Sequence, residues 1–183
     1  MVDLISKIKK CNNCPLHCNQ SPLIDNNHAS SDVFWIGLSA VKVSCTEKEV
    51  PLSSLTSSGK LIAEIESMRN DQLFYKTNIV KCLPLKDSKI RYPSTCEMKA
   101  CFNNLELEIS TIKPRTVFLL GKQVTDFVGS KFGFKISKLN TEFNYERFMV
   151  NGIEFIPIHH PSYVLVYQRK NVQMYRDSLA NLI

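Results

Sequence analysis

The residues able to do chemistry fall in a few short runs. Cysteines open the chain as Cys11-Asn-Asn-Cys14 and return as Cys82 and Cys101, with Cys18, Cys45 and Cys96 beside them. Four thiolates gathered from a loop, a strand end and a helix can bind an iron–sulfur cluster or a tetrahedral zinc ion. Asn78, inside KTNIVKCLP, carries a carboxamide that offers a donor and an acceptor side by side, although on its own it is better read as a cap on a strand end. His159 and His160 precede Pro161 and Ser162; on an extended segment neighbouring side chains face opposite ways, so one imidazole at most is expected in a pocket. The stretch PLSSLTSSGK adds hydroxyls at Ser53, Ser54, Thr56, Ser57 and Ser58.

The elements that must position these groups can be read from period and composition. DVFWIGLS (32–39), FYKTNIVKC (74–82), RTVFLLG (115–121) and IEFIPIHH (153–160) are short, β-branched or aromatic, and bounded by Gly, Pro or polar residues, as strands are. Between them SSGKLIAEIESMR, CEMKACFNNLELEISTI and KQVTDFVGSKF show helical spacing, with Leu105, Ile109 and Ile112 as one stripe. Strands alternating with helices predict an α/β fold, a three-layer α/β/α sandwich around a four-stranded, mainly parallel sheet. A weaker hairpin pattern pairs 135–139 with 146–151. Ligands of such sheets bind beyond the carboxyl ends of the strands, where Leu38-Ser39, Asn78 with Cys82, Gly121 and His160 fall.

At 183 residues and 44% hydrophobic content the chain is sized for one core, residues 1–183 as a single domain. Seven cysteines, an odd number, suit free thiols and metal ligands in a reducing compartment better than disulfides. No run of 18 apolar residues occurs, and MVDLISKIKKC is too short and polar for a signal peptide, so a soluble monomer in the cytoplasm, with no membrane partner, is expected. The net charge of +6 collects in KDSKIRYP and YQRKNVQMYR, a pattern suited to a nucleic-acid partner and also found on solvated faces.

Taken in order, CNNC, the strand into GLSAV, PLSSLTSSGKLI, TNIVKCLP, RYP followed by Glu97-x-x-x-Cys101, IKPRTVFLLG and HHPSYVL resemble the uracil-DNA glycosylase superfamily, and within it the iron–sulfur branch called family four. The resemblance spans nearly the whole chain. It implies a DNA glycosylase that flips a base out of DNA and hydrolyses its N-glycosidic bond. It implies a [4Fe-4S] cluster on Cys11, Cys14, Cys82 and Cys101, with zinc the alternative metal and Cys96 the alternative fourth ligand. Asn78 would read the base and His160 would stabilise the departing base, with His159 its competitor. Leu38, Ser39, Ala40 and Ser162 would lie near base, sugar or water. Tyr163, Leu165 or Tyr167 would act as a wedge against DNA, with Arg169 and Lys170 on phosphates and Ser58 and Lys60 also facing DNA. Cys18 and Cys45 have no counterpart and are expected to be small buried thiols, and His17 a loop residue.

Two departures from the family pattern concern the pocket. The first motif there carries an acid, where this chain has Gly37-Leu38-Ser39-Ala40-Val41; Glu47 and Glu49, just downstream, are candidates to position water in its place. The aromatic that stacks on uracil is replaced by Leu52 or Ser54 in a longer, hydroxyl-rich stretch. A wall of that kind would suit a bulkier modified pyrimidine, such as the glucosylated hydroxymethylcytosine of phage DNA, and so a role in repair or in antiviral defence. The remaining alternatives are an inactive DNA-binding module of the same fold and a structural zinc protein.

Overall fold

Successive side chains of β1 (Val33–Ser39) alternate between two apolar cores, which is why the run VFWI is hydrophobic at every position. Phe34 and Ile36 pack with Tyr75, Phe102, Leu105 and Phe127 on one face; Val33 and Trp35 pack with Ile62, Ile65, Phe118 and Tyr175 on the other. The computed structural model describes residues 2–26, 30–136 and 138–183.

The remaining elements are α1 (Val2–Lys9), α2 (Ser57–Ser67), β2 (Phe74–Val80), the short β3 (Leu85–Lys86) and β4 (Lys89–Ile90), α3 (Thr95–Ile112), β5 (Thr116–Leu120), α4 (Lys122–Phe132), β6 (Phe148–Val150), β7 (Ile153–Ile158), α5 (Pro161–Tyr167) and α6 (Val172–Leu182). The sheet order is β2-β1-β5-β7-β6, in which β1, β2, β5 and β7 are mutually parallel. Helices α3 and α4 cover one face and α2, α5 and α6 the other, giving the expected three layers. The four expected strands are all present; β6 adds a fifth, antiparallel at the edge. It pairs with β7 through a turn at Asn151-Gly152, both at positive φ; the expected hairpin partner, 135–139, extends outside the described residues.

Helix α3 starts at a capping box: Ser94 Oγ accepts from the Glu97 N–H, and the Glu97 carboxylate accepts from the Ser94 N–H. Its inward stripe of Phe102, Leu105 and Ile109 seats it on the sheet. Cys101 is thereby held beside the end of β2, where the Lys81 N–H donates to its Sγ at 3.4 Å.

Candidate active site

The carboxyl ends of β1, β5 and β7 open onto a cleft of about 600 Å3. Leu38 and Ser39 line it from β1, Gly121 to Val124 from the start of α4, and His160 and Ser162 from the turn into α5. Gly121 has φ +87°, and a Cβ there would lie 3.3 Å from His160 Cβ, so the glycine leaves room for the imidazole.

His160 is the N-cap of α5, and its Nδ1 accepts the Ser162 N–H at 3.1 Å with Ser162 Oγ at 2.7 Å. A backbone N–H can only donate, so Nδ1 is an acceptor and the single proton of the neutral ring resides on Nε2. Burial lowers the His160 pKa, which favours that neutral form. His159 points away, as strand alternation requires. Its Nδ1 lies 3.1 Å from the Tyr145 hydroxyl, its ring stacks on Tyr163, and its carbonyl accepts the Tyr175 hydroxyl. Of the two histidines only His160 lines the cleft.

Asn78 does not line the cleft. It is 3% exposed and lies in β2 in register with Gly37, the residue before Leu38. A Cβ built on Gly37 would stand 2.3 Å from Asn78 Oδ1 and 3.3 Å from Leu52 Cδ2, so the carboxamide and the Leu52 side chain meet over a bare backbone. Leu52, not Ser54, is therefore the residue against the Asn78 site, held with φ +52°. Ser54 is exposed. Ser53 Oγ accepts the Leu55 N–H, and its carbonyl accepts both the Thr56 N–H and hydroxyl. Thr56 in turn caps α2 by accepting the Gly59 N–H. The hydroxyls of Ser53 and Thr56 thus shape the turn into α2, and none of the five hydroxyl residues lines the cleft. Ala40 is buried with its N–H on the Val80 carbonyl and closes the β1–β2 edge, so it too is absent from the cleft wall.

Neither Glu47 nor Glu49 reaches the cleft. Glu49 accepts the Ser44 N–H and Glu47 accepts from the Cys45 thiol, an interaction that lowers the Glu47 pKa. Among the described residues the cleft is lined by no carboxylate.

Cys11, Cys14, Cys82 and Cys101 surround one small cavity of about 10 Å3 together with Asn104 and Lys81, which brings together the four expected ligands and leaves Cys96 exposed at the start of α3. Asn104 Nδ2 donates to Cys11 Sγ at 3.3 Å and to Cys101 Sγ at 3.7 Å. The Cys82 thiol is pushed up to about 12, first by burial and then by the charge that Cys101, Cys14 and Cys11 would carry as thiolates. Four such thiolates are compatible only with a cationic group among them, so the donor set fits a metal centre. No three His, Cys, Asp or Glu side chains among the described residues are placed to close on a single ion. Cys18 is exposed and Cys45 half-exposed, against the expectation of buried thiols. His17 lies in a 3₁₀ turn, Pro15–Cys18, with Nδ1 on the Cys14 carbonyl.

A buried ion pair links the two sites. Lys81, fully enclosed, donates to Glu108 at 2.6 Å, to Thr77 at 2.7 Å and to the Asn78 carbonyl at 2.6 Å, while Tyr75 donates to the same carboxylate. Sequence reading missed this pair because its partners lie on a strand and a helix that meet only in the fold.

On the far side of His160, Tyr163 stacks on His159 and tilts against the exposed Tyr167, so both rings sit at the surface, whereas Leu165 is half-buried. Arg169 and Lys170 are exposed, Arg169 donating to the Leu165 carbonyl; Lys60 is exposed and Ser58 half-buried at the start of α2. The sequence also left unassigned Ile90, Arg91 and Tyr92, which form a wall of the cleft, and Lys122 and Gln123 at its floor. Asp87 and Ser88, both at positive φ, turn the chain between β3 and β4 as a two-residue hairpin. Asp-Ser is a weaker hairpin signal than Asp-Gly, which explains the omission.

A three-layer α/β/α sandwich with a neutral imidazole in a cleft at the carboxyl ends of its parallel strands, and four thiols at one side, defines the class of α/β enzymes acting on a ligand bound beyond the sheet. The chain belongs to the uracil DNA glycosylase superfamily, whose sequence model matches residues 27–183. It is similar to the type-4 uracil-DNA glycosylase of Thermotoga maritima, 27% identical over 169 residues covering 90% of this chain and 83% of the relative. The type-4 uracil-DNA glycosylases of Sulfurisphaera tokodaii and Saccharolobus solfataricus are each 26% identical, covering 90% of this chain and 77% of the relative. Family membership makes the chain a DNA N-glycosylase, a hydrolase of N-glycosyl bonds. No helix among the described residues is long and apolar enough to cross a membrane.

Proposed function

We propose that this protein excises uracil from DNA, as a single domain acting as a monomer, and leaves an abasic site. The observation that carries the reading is His160, which lines the cleft with Nδ1 occupied by Ser162 and its proton on Nε2. As the N-glycosidic bond lengthens, electrons pass to the base and positive charge develops on the sugar. The Nε2–H donates to the base oxygen that gathers negative charge, stabilising it as it leaves. Water adds to the sugar carbon that the base vacates, and its proton passes through solvent to the uracil anion, which leaves as neutral uracil.

Asn78 supplies the amide that distinguishes the base, reached once the base displaces Leu52 from the Gly37–Asn78 contact. Ser39 and Leu38 contact sugar and base at the end of β1, and Ser162 holds the His160 ring. With no carboxylate lining the cleft, the sugar cation is stabilised by the DNA phosphates and the water is held by a neutral group, with the Ser39 hydroxyl on that wall. Arg169, Lys170, Lys60 and Ser58 bind phosphate, and Tyr163 with Tyr167 fills the gap left by the flipped base.

Cys11, Cys14, Cys82 and Cys101 would hold a [4Fe-4S] cluster. Bound there, it would cross-link the N-terminal segment to the end of β2 and to α3. The four thiols around a common cavity support this reading, with zinc the alternative metal.

The experiment is a panel of oligonucleotides carrying uracil or glucosylated hydroxymethylcytosine, scored for alkali-labile strand breaks. Cleavage at uracil supports the reading. Cleavage at the modified cytosine alone would replace it with excision of the bulkier pyrimidine and a defence role, and cleavage at neither would leave a DNA-binding module.

A further inference from the structure

The hairpin β3–β4 and the residues after it present a ring to the cleft. Tyr92 is 74% exposed, and Ile90, two residues earlier on the same cleft wall, is 59% exposed. Apart from His160, Tyr92 is the only ring on the cleft wall among the described residues, and it stacks on no other ring. An exposed tyrosine is ordinary on a mobile loop, but this one has a fixed backbone. The Arg91 guanidinium grips the Glu97 carboxylate through both amino groups, at 2.8 Å and 2.5 Å, and also donates to the Tyr92 and Leu85 carbonyls. Glu97 is tied to the Ser94 N–H at the start of α3, and the Arg91 N–H donates to the Pro84 carbonyl. Arg91 beside it holds the Glu97 carboxyl well below the usual range, so the clamp persists across neutral pH. Lys86 and Lys89, exposed and paired across the same hairpin, give it positive charge.

An exposed, unstacked ring on a tethered backbone, lining the same cleft as His160 and carried by a lysine-bearing hairpin, can receive a flat, electron-rich group on a polyanion. We propose that Tyr92 stacks on the extracted base and supplies the aromatic face that Leu52 cannot. This rests on the proposed DNA-glycosylase reading. The clamp of Arg91 on Glu97 is then a positioning device, since it fixes the backbone that carries the ring before DNA arrives and reduces the ordering needed on binding.

The test measures Kd for two single-stranded oligonucleotides by fluorescence anisotropy. One carries 2′-fluoro-2′-deoxyuridine, whose fluorine disfavours the sugar cation and so blocks turnover; the other carries a stable abasic analogue at the same place. Tyr92→Phe is expected to bind the uracil oligonucleotide as the wild type does, and Tyr92→Ala to bind it roughly ten-fold or more weakly. Both variants should bind the abasic oligonucleotide with unchanged Kd. Equal affinity of Tyr92→Ala for the uracil oligonucleotide, or an equal loss on both oligonucleotides, overturns the proposal. The two readings fail separately. A wild type that releases no uracil contradicts the proposed activity, whereas the stacking assignment is judged on base-dependent binding alone. Circular dichroism of Tyr92→Ala, with the ring exposed and outside the core, is expected to match the wild type.

Discussion

Gly37 and Asn78 face each other across β1 and β2 so closely that a methyl group on the first would overlap the carboxamide oxygen of the second, 2.3 Å from where its carbon would stand. Gly37→Ala must therefore displace Asn78. We expect its kcat/KM for uracil release to fall as far as that of Asn78→Ala, and the double variant to be no worse than either single one. Additive losses in that cycle would mean that the two residues act independently.

The pH dependence follows from His160. Burial lowers its pKa below the ordinary value of about 6.5, so the ring is neutral throughout neutral pH and protonates only under acid conditions. Protonation would put a second proton on Nδ1, facing the Ser162 N–H that it now accepts. The rate should be level through neutral pH and fall on an acid limb with a midpoint below 6.5. A group with a depressed folded-state pKa also contributes stability above its unfolded pKa and loses it as pH falls, so the melting temperature should drop over the same range. A rate that rises on acidification would show that the imidazolium is the active form.

Much of this was legible in the sequence, and what was not has physical reasons. The run VFWIGLS shows a strand buried on both faces because each of its apolar residues has its own core to enter. The four thiols were singled out by the family resemblance, which matches Cys11, Cys14, Cys82 and Cys101 to its ligand positions, and the fold brings them around one cavity. The hydroxyl run 53–58 misled, because Ser53 and Thr56 satisfy the turn and cap of α2, a local demand that looks like a pocket lining. Glu47 and Glu49 misled for the same reason, since both fold back on the 44–47 turn. Tyr92 went unremarked because its placement depends on a hairpin turned by Asp87-Ser88 and clamped by a residue on the following helix.

The pair of Lys81 and Glu108 has no solvent access, so removing one partner leaves an unpaired charge in the core. Lys81→Met is expected to cost about 3 to 5 kcal/mol of stability. Lys81→Met combined with Glu108→Leu should recover much of it, read by urea denaturation. A single variant as stable as the wild type would show that the pair is solvated in solution.

Replacing the thiols separates the four-cysteine site from its neighbours. Cys82→Ser and Cys101→Ser should lose bound iron and acid-labile sulfide and melt at lower temperature, whereas Cys96→Ser should keep both, because Cys96 is exposed and away from the shared cavity. Iron loss on Cys96→Ser with retention on Cys101→Ser would reverse the ligand assignment, and zinc in place of iron would exclude the cluster. Asn104→Leu removes a donor shared by Cys11 and Cys101 and should shift the visible absorption without emptying the site.

The most direct measurement is single-turnover release of free uracil from a uracil-containing oligonucleotide by the wild type and by His160→Ala. Wild-type release, slowed about 100- to 1,000-fold in His160→Ala, is the predicted result. Release at the same rate by both proteins would contradict the assignment of this cleft and this histidine to the cleavage step.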